Sequence, residues 1–247
     1  MKLISRRRAA LGLGALLVAT QLPESAARAA DAGVVVAFGD SITAGAGSLE
    51  DRGRPVRYPD RLAARLQAKP GHAGPPTVVN AGISGNRLLA DGAGTKGIAR
   101  FAQDVLAQRG LTHVVILIGI NDIGLSVPEG AAGPVRGQPA ARDITAGLES
   151  LIRQARARGV KVLLGTLLPF KGAAYWSEEK ESRREAVNRW IRSRRDVHAV
   201  VDFDAALRDA ADPQVLKAAY DSGDHLHPGN AGYAAMADAI DLRALRK

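Results

Sequence analysis

The chain has 247 residues, 46% hydrophobic and 24% charged, with 27 glycines and 12 prolines, which excludes a disordered, collagen-like or low-complexity polymer. It contains no cysteine, so disulfides, thiolate zinc sites, iron–sulfur clusters and a cysteine nucleophile are excluded as well. The formal charge of +9 overstates the case for a nucleic-acid partner, because Lys2, Arg6, Arg7, Arg8 and Arg28 face only Glu24 in residues 1–29, and without that segment the charge is +5.

Residues 1–29 have the three-part layout of a secretory signal peptide: a basic start, an uncharged and mostly apolar run over 9–20, and the small-x-small site Ala27-Arg28-Ala29. Twelve helical residues rise about 18 Å, short of a hydrocarbon core of roughly 30 Å, so the run reads as a leader and not as a membrane anchor. Ser5-Arg6-Arg7 resembles the start of a twin-arginine signal, with Ala9 and Ala10 where that motif has bulkier residues; Sec export is the other route. The expected mature protein is residues 30–247, exported to the periplasm or the extracellular space, with no integral membrane segment.

The remainder alternates apolar runs with amphipathic stretches. Residues 34–38 (Val-Val-Val-Ala-Phe), closed by Gly39-Asp40, predict a buried strand. Leu62, Ala63 and Leu66 mark a helix over 61–67, stopped by Pro70-Gly71. Residues 77–79 predict a second strand ending at Asn80-Ala81-Gly82, residues 97–107 a helix, and residues 113–120 the most apolar strand. Gly/Pro-rich 126–139 reads as an extended loop after it. Ile144, Leu148, Leu151 and Ile152 place an amphipathic helix over 143–158, ended by Gly159. A fourth strand covers 160–168 and breaks at Pro169. Ser177 can cap a helix over 178–194 with Val187, Trp190 and Ile191 inward; its charge run, residues 178–185, reads as a solvated face laced by i,i+4 pairs and not as a nucleic-acid stripe. Residues 197–201 predict a fifth strand and 230–240 the closing helix. Five apolar strands separated by helices predict an α/β fold: one domain, a three-layer α/β/α sandwich on a five-stranded parallel sheet.

Folds of this class do their chemistry at the carboxyl ends of the strands. Those ends carry Gly39-Asp40-Ser41-Ile42-Thr43, then Asn80-Ala81-Gly82-Ile83-Ser84-Gly85-Asn86, then Gly119-Ile120-Asn121-Asp122. Asp224-His225-Leu226-His227-Pro228 precedes the last helix. Together they supply a hydroxyl, an imidazole near a carboxylate, a glycine amide and a side-chain amide, the parts of an acyl-transfer site. A serine needs a base to become a nucleophile, and a carboxylate fixes the tautomer of that base and stabilises its cation. The candidate triad is Ser41, His227 and Asp224. The candidate oxyanion donors are the amides of Ser41 and Gly85 and the side-chain amide of Asn121. Asp40 and Asp122 read as loop braces through side-chain-to-backbone bonds.

In that order Ser41, Gly85, Asn121 and His227 resemble the SGNH or GDSL hydrolases, with Asp-x-x-His near the end of the chain. Residues 80–89 and 118–124 look most like a bacterial branch grouped with xylan acetylesterases. The resemblance implies hydrolysis of carboxylic esters on a flavodoxin-like sheet, with Asp224 and His227 as triad partners of Ser41. One departure is Ile42-Thr43, where the family's name has Leu after Ser.

Several competing readings are weaker. His225 also neighbours a carboxylate, but one residue from Asp224 on extended chain it points the other way, so His227 is preferred. Gly92-Ala93-Gly94-Thr95-Lys96-Gly97 fits a dinucleotide fingerprint but follows no strand and sits outside the first βα turn, so it reads as a loop. Asp224, His225 and His227 could suggest a metal site, but no further ligand at suitable spacing is evident. No metal and no cofactor are expected. The expected substrate is a small-molecule or carbohydrate ester, with a short acyl group because the rim segments 126–139 and 169–176 are Gly/Ala-rich; Tyr175 and Trp176 offer ring faces to a sugar, though loop aromatics also pack as lids. The alternatives are a lysophospholipase- or thioesterase-type lipid hydrolase, and a non-catalytic carbohydrate-binding protein on the same fold.

Overall fold

The computed structural model describes residues 32–48, 56–71, 73–125 and 139–245. The expected leader, residues 1–29, and nearly all of the expected loop over 126–139 lie outside the described residues. Five strands, β1 (Val34–Gly39), β2 (Thr77–Gly82), β3 (Leu111–Leu117), β4 (Lys161–Gly165) and β5 (Ala199–Val201), pair in parallel in the order β2-β1-β3-β4-β5. The described α-helices are α1 (Ser41–Ala44), α2 (Tyr58–Ala68), α3 (Gly97–Phe101), α4 (Ile120–Gly124), α5 (Ala141–Ala157), α6 (Glu178–Ser193), α7 (Phe203–Leu207) and α8 (Asn230–Ala239). Helices α2, α8 and α7 pack in one layer, and α3, α5 and α6 in the other. The α/β class and the five-stranded parallel sheet are those the sequence predicts.

This order positions the site. The chain leaves β1 outward to β2, then crosses back past β1 to β3. Connections therefore diverge at the carboxyl ends of β1 and β3 and open a crevice there. Gly39 registers with Gly82 of β2 on one side and Leu117 of β3 on the other, so the loops that follow the three strands begin level with one another. Val35 to Phe38 and Val114 to Ile116 are fully buried, as strands covered on both faces require. Apolar side chains from both helix layers, among them Leu62, Tyr233, Leu148 and Ile191, close over them.

Element boundaries differ from the sequence reading for identifiable reasons. Helix α2 starts three residues before 61, because Pro59 sits in its first turn, where a missing N–H costs nothing. Strand β3 stops at Leu117: Gly119 turns the chain at φ 130° and Ile120 opens α4, yet Ile118 and Ile120 stay buried, so the apolar run continues past the strand. Helix α3 passes into a π-helical turn over Ala102–Leu106, where the Ala107 N–H donates to Ala102 O at 3.0 Å. Beyond β4, Leu167 pairs with a side chain in place of a strand: its N–H donates to Asn188 Oδ1 and its carbonyl accepts from Asn188 Nδ2, both at 2.8 Å.

The charge run of α6 is a solvated face only in part: Glu178, Glu179 and Glu185 are exposed, and Arg183 pairs with Glu179 one turn before it. Ser177 caps the helix, its Oγ accepting from Lys180 N at 3.3 Å. Glu181 and Arg184, however, are each only 3% exposed. Arg184 donates to Glu181 at 2.9 and 2.5 Å, to Asp204 Oδ1 at 3.0 Å and to Leu167 O at 2.9 Å, and Arg192 joins Asp202 and Asp204. This buried network ties α6 to the β5–α7 corner. Leaving one of its charges without a partner would cost about 3–5 kcal/mol.

Candidate active site

Ser41 opens α1 directly after β1. Asp40 caps that helix, its Oδ1 accepting from Ile42 N at 3.0 Å, and Gly45 ends it in the left-handed region at φ 99°. One turn of helix thus fixes the serine, which is itself buried. The His227 loop returns to it from the far end of the chain. His227 Nε2 lies 2.9 Å from Ser41 Oγ, and His227 Nδ1 lies 2.5 Å from Asp224 Oδ2. Asp224 Oδ1 accepts further bonds from His227 N at 2.8 Å, Leu226 N at 3.0 Å and Ser222 Oγ at 3.2 Å.

These bonds settle the direction of the chain of donors. Burial works against the Asp224 charge, but the His227 ring and two backbone N–H groups outweigh it and hold the carboxyl at about 2. An ionised carboxylate only accepts, so Nδ1 carries a hydrogen, and in the neutral imidazole Nε2 is then the acceptor to which the Ser41 hydroxyl donates.

His225 is placed for a different reason than the sequence suggested. The chain is not extended there. His225 adopts φ 61°, the sole positive value among described residues other than glycine, and its Nδ1 pairs with Asp221 Oδ2 at 2.6 Å. It therefore carries its own carboxylate, while Asp224 serves His227. Nothing in the sequence marked Asp221 for this.

The loops after β2 and β3 hold the other two candidates. Gly85 takes φ 73° at the third position of a turn closed by Asn86 N donating to Ile83 O at 3.0 Å, a position that favours glycine. Asn121 is buried in α4 and donates through Nδ2 to Asn86 O at 3.1 Å, which leaves its second amide hydrogen. Among the described residues no group accepts from the Ser41 or Gly85 N–H. Asp122 binds the same loop from below, accepting from Leu88 N at 2.7 Å and Leu89 N at 2.9 Å. Asn80 links β2 to α1 by donating to Thr43 O at 2.8 Å. The glycine-rich segment 92–97 forms a small loop around the Gly92–Gly94 bridge, pinned by Asn86 Nδ2 donating to Ala93 O at 3.1 Å and Thr95 O at 2.9 Å.

Sequence reasoning missed two residues here. Arg100 reads as one more charged residue on a helix, yet it is buried against these loops. Asn86 carries no signal of its own beyond ending the segment after the second strand. Among the described residues no group of three or more His, Cys, Asp or Glu side chains could hold a metal ion, and no helix is long and apolar enough to cross a membrane.

Asp40 makes a testable electrostatic contribution. It is fully buried, and its Oδ2 has no hydrogen-bond partner among the described residues. Burial pushes its carboxyl from 3.8 up to about 7, against the Ile42 N–H bond and with help from the Asp122 charge. A carboxyl that binds its proton more tightly when folded contributes stability below its unfolded value, and loses it as pH rises toward the folded one. Thermal melts should therefore show stability falling between about pH 4 and 7 more steeply in the wild type than in Asp40→Asn, whose Oδ1 still accepts from Ile42. Parallel slopes would contradict this.

A sequence profile of the GDSL-like lipase/acylhydrolase family matches residues 37–235. No curated protein matches the chain. Solved structures do. The lipase/acylhydrolase of Enterococcus faecalis is 22% identical, with TM-score 0.63 over 86% of this chain and 95% of that one. LAE5, an alpha/beta hydrolase enzyme from the metagenome of Lake Arreo, Spain, is 21% identical, with TM-score 0.64 over 86% and 94%. A mutant of Axe2, an acetyl-xylooligosaccharide esterase from Geobacillus, is 25% identical, with TM-score 0.62 over 86% and 94%. The family profile spans strand β1 through the closing helix, and with it the Ser41 and His227 loops, so this chain belongs to the GDSL-like lipase/acylhydrolase family and is an ester hydrolase.

Proposed function

We propose that this ester hydrolase cleaves short-chain carboxylic esters, acetyl esters foremost, through an acyl-enzyme on Ser41. The observation that carries the reading is the continuous line of bonds from Asp224 to His227 to Ser41, 2.5 and 2.9 Å long. His227 Nε2 takes the hydroxyl proton as Ser41 Oγ attacks the ester carbonyl carbon. The resulting oxyanion is held by the N–H groups of Ser41 and Gly85 and by Nδ2 of Asn121. The bond to the alcohol oxygen breaks as the imidazolium returns its proton to that oxygen. Water, deprotonated by the same imidazole, then attacks the acyl-enzyme, and the carboxylic acid leaves with Ser41 restored. Because the Asp224 carboxyl is held at about 2, its protonation does not account for an acid limb of the kcat/KM profile.

The short acyl preference rests on the described rim. Leu125, at the end of α4, is the one large hydrophobic side chain left exposed among the described residues. Phe170 is buried, and Tyr175 covers Gly124, where a Cβ would stand 2.2 Å from its ring. Among the described residues, little apolar surface remains for a long acyl chain. An acetylated carbohydrate is the natural substrate class we favour, in keeping with the likeness to Axe2. Residues 1–29 act in this reading as an export leader, so the enzyme works in the periplasm or outside the cell.

Hydrolysis of p-nitrophenyl acetate, butyrate, octanoate and palmitate by residues 30–247, with Ser41→Ala in parallel, tests the proposal. The expected result is serine-dependent turnover that falls with chain length. A maximum at octanoate or palmitate would assign a lipid-directed hydrolase. Absence of serine-dependent turnover on every ester would leave a carbohydrate-binding protein.

A further inference from the structure

Arg100 lies in α3, outside the four loops that carry the proposed chemistry, and is buried. Its guanidinium stacks 4.1 Å from the centre of the Phe38 ring and makes four bonds. Nη2 donates to Gly39 O at 2.7 Å, Nη1 to Ala81 O at 2.9 Å and to Asp104 Oδ2 at 2.8 Å, and Nε to Asn86 Oδ1 at 2.9 Å. Only Asp104 belongs to its own helical segment. The other three acceptors stand at the ends of the two strands and in the loop that bear the proposed oxyanion donors. Gly39 is two residues before Ser41, Ala81 is four before Gly85, and Asn86 directly follows Gly85. The third donor is tied in through the same asparagine, because Asn121 Nδ2 donates to Asn86 O at 3.1 Å.

We infer that Arg100 is a positioning residue for the oxyanion hole, one planar fork that sets the spacing between the loops of Ser41, Gly85 and Asn121. The inference rests on the reading of those three donors given above. Arginine suits the task because its donors are fixed in a plane and diverge toward several acceptors, whereas a lysine ammonium at the same depth is a single point from which the three carbonyl oxygens cannot all be reached. Asn86 transmits the constraint: its side chain is held on one side by Arg100 and on the other by Ala93 O and Thr95 O, at 3.1 and 2.9 Å, so the peptide after Gly85 has little freedom to turn.

The test compares wild type, Arg100→Lys, Asn86→Ala and Asn121→Ala on p-nitrophenyl acetate and on the thionoester in which sulfur replaces the carbonyl oxygen. Sulfur is larger and a weaker hydrogen-bond acceptor, so an intact hole favours the oxygen ester, and a slackened hole loses part of that preference. A purely structural lesion lowers both rates alike and leaves their ratio unchanged. For Arg100→Lys we expect kcat on the oxygen ester to fall roughly 10- to 100-fold with KM within about 2-fold, and the oxygen-to-sulfur ratio of kcat/KM to fall several-fold, in the direction of Asn121→Ala. Asn86→Ala should shift the ratio the same way. If Arg100→Lys does not fold by circular dichroism, Asn86→Ala carries the test alone. An unchanged ratio in the folded variants would overturn the inference, and so would failure of both to fold, which would assign Arg100 to the fold. A wild-type ratio in Asn121→Ala would remove the hole itself and the inference with it. Hydrolysis that survives Ser41→Ala would refute the underlying mechanism, a separate outcome from any of these.

Discussion

Ser41→Ala should lose ester hydrolysis by roughly 10⁴- to 10⁶-fold in kcat while the protein folds as before. Among the described residues the hydroxyl bonds to His227 alone, at 2.9 Å, and alanine fits the first turn of α1, whose cap is the side chain of Asp40. Stability should therefore change little. His227→Ala should lose activity by a similar factor, and the double variant should be no worse than either single one, because the pair acts as a unit. Purified Ser41→Ala with wild-type activity would refute the nucleophile. A double variant far worse than both singles would refute the coupling.

Asn121→Ala carries the next largest effect, about 10²- to 10³-fold in kcat with little change in KM, because the oxyanion is present only in the transition state and not in the bound ester. The variant also loses the 3.1 Å bond to Asn86 O, a buried acceptor, so a stability loss of about 1 kcal/mol accompanies it. Steady-state kinetics on a short ester distinguishes the cases. A rise in KM at constant kcat would make Asn121 a ground-state binding residue instead.

The candidate site is legible in the sequence because acyl transfer, the chemistry proposed for it, needs chemically distinctive residues and an α/β sheet confines them to strand ends. Gly-Asp-Ser after the first apolar run, Asn-Asp after the third and Asp-x-x-His before the last helix are recognisable without coordinates. The residues that hold them were not. Arg100 has the periodicity of any helical arginine, and only the crossing of α3 over the ends of β1 and β2 turns it into a bridge. Asp221 pairs with His225 because the chain turns left-handed there, which no residue preference announces at a histidine. Glu181 and Arg184 read as solvated charges, since their burial depends on Asp204, twenty residues further along the chain from Arg184.

The strands show the same limit. Hydrophobic runs report burial and not hydrogen bonding, so the third and fourth runs extend past their strands where buried chain leaves the sheet. Ile118 and Leu167 are 1% exposed outside any strand, the latter satisfied by Asn188 in place of a neighbouring peptide. Helix α2 begins ahead of the apolar spacing that marks it, because Pro59 sits in its first turn.

An acyl-enzyme on Ser41 can be caught before it turns over. Wild-type residues 30–247 mixed with excess p-nitrophenyl acetate, quenched in acid within the first turnovers and digested for peptide mass mapping, should carry one acetyl group on the peptide containing Ser41. A matching burst of p-nitrophenol should appear, and both should be absent in Ser41→Ala. Steady turnover with no acetylated Ser41 peptide and no burst, or an acetyl group on another residue that survives in Ser41→Ala, would contradict the account.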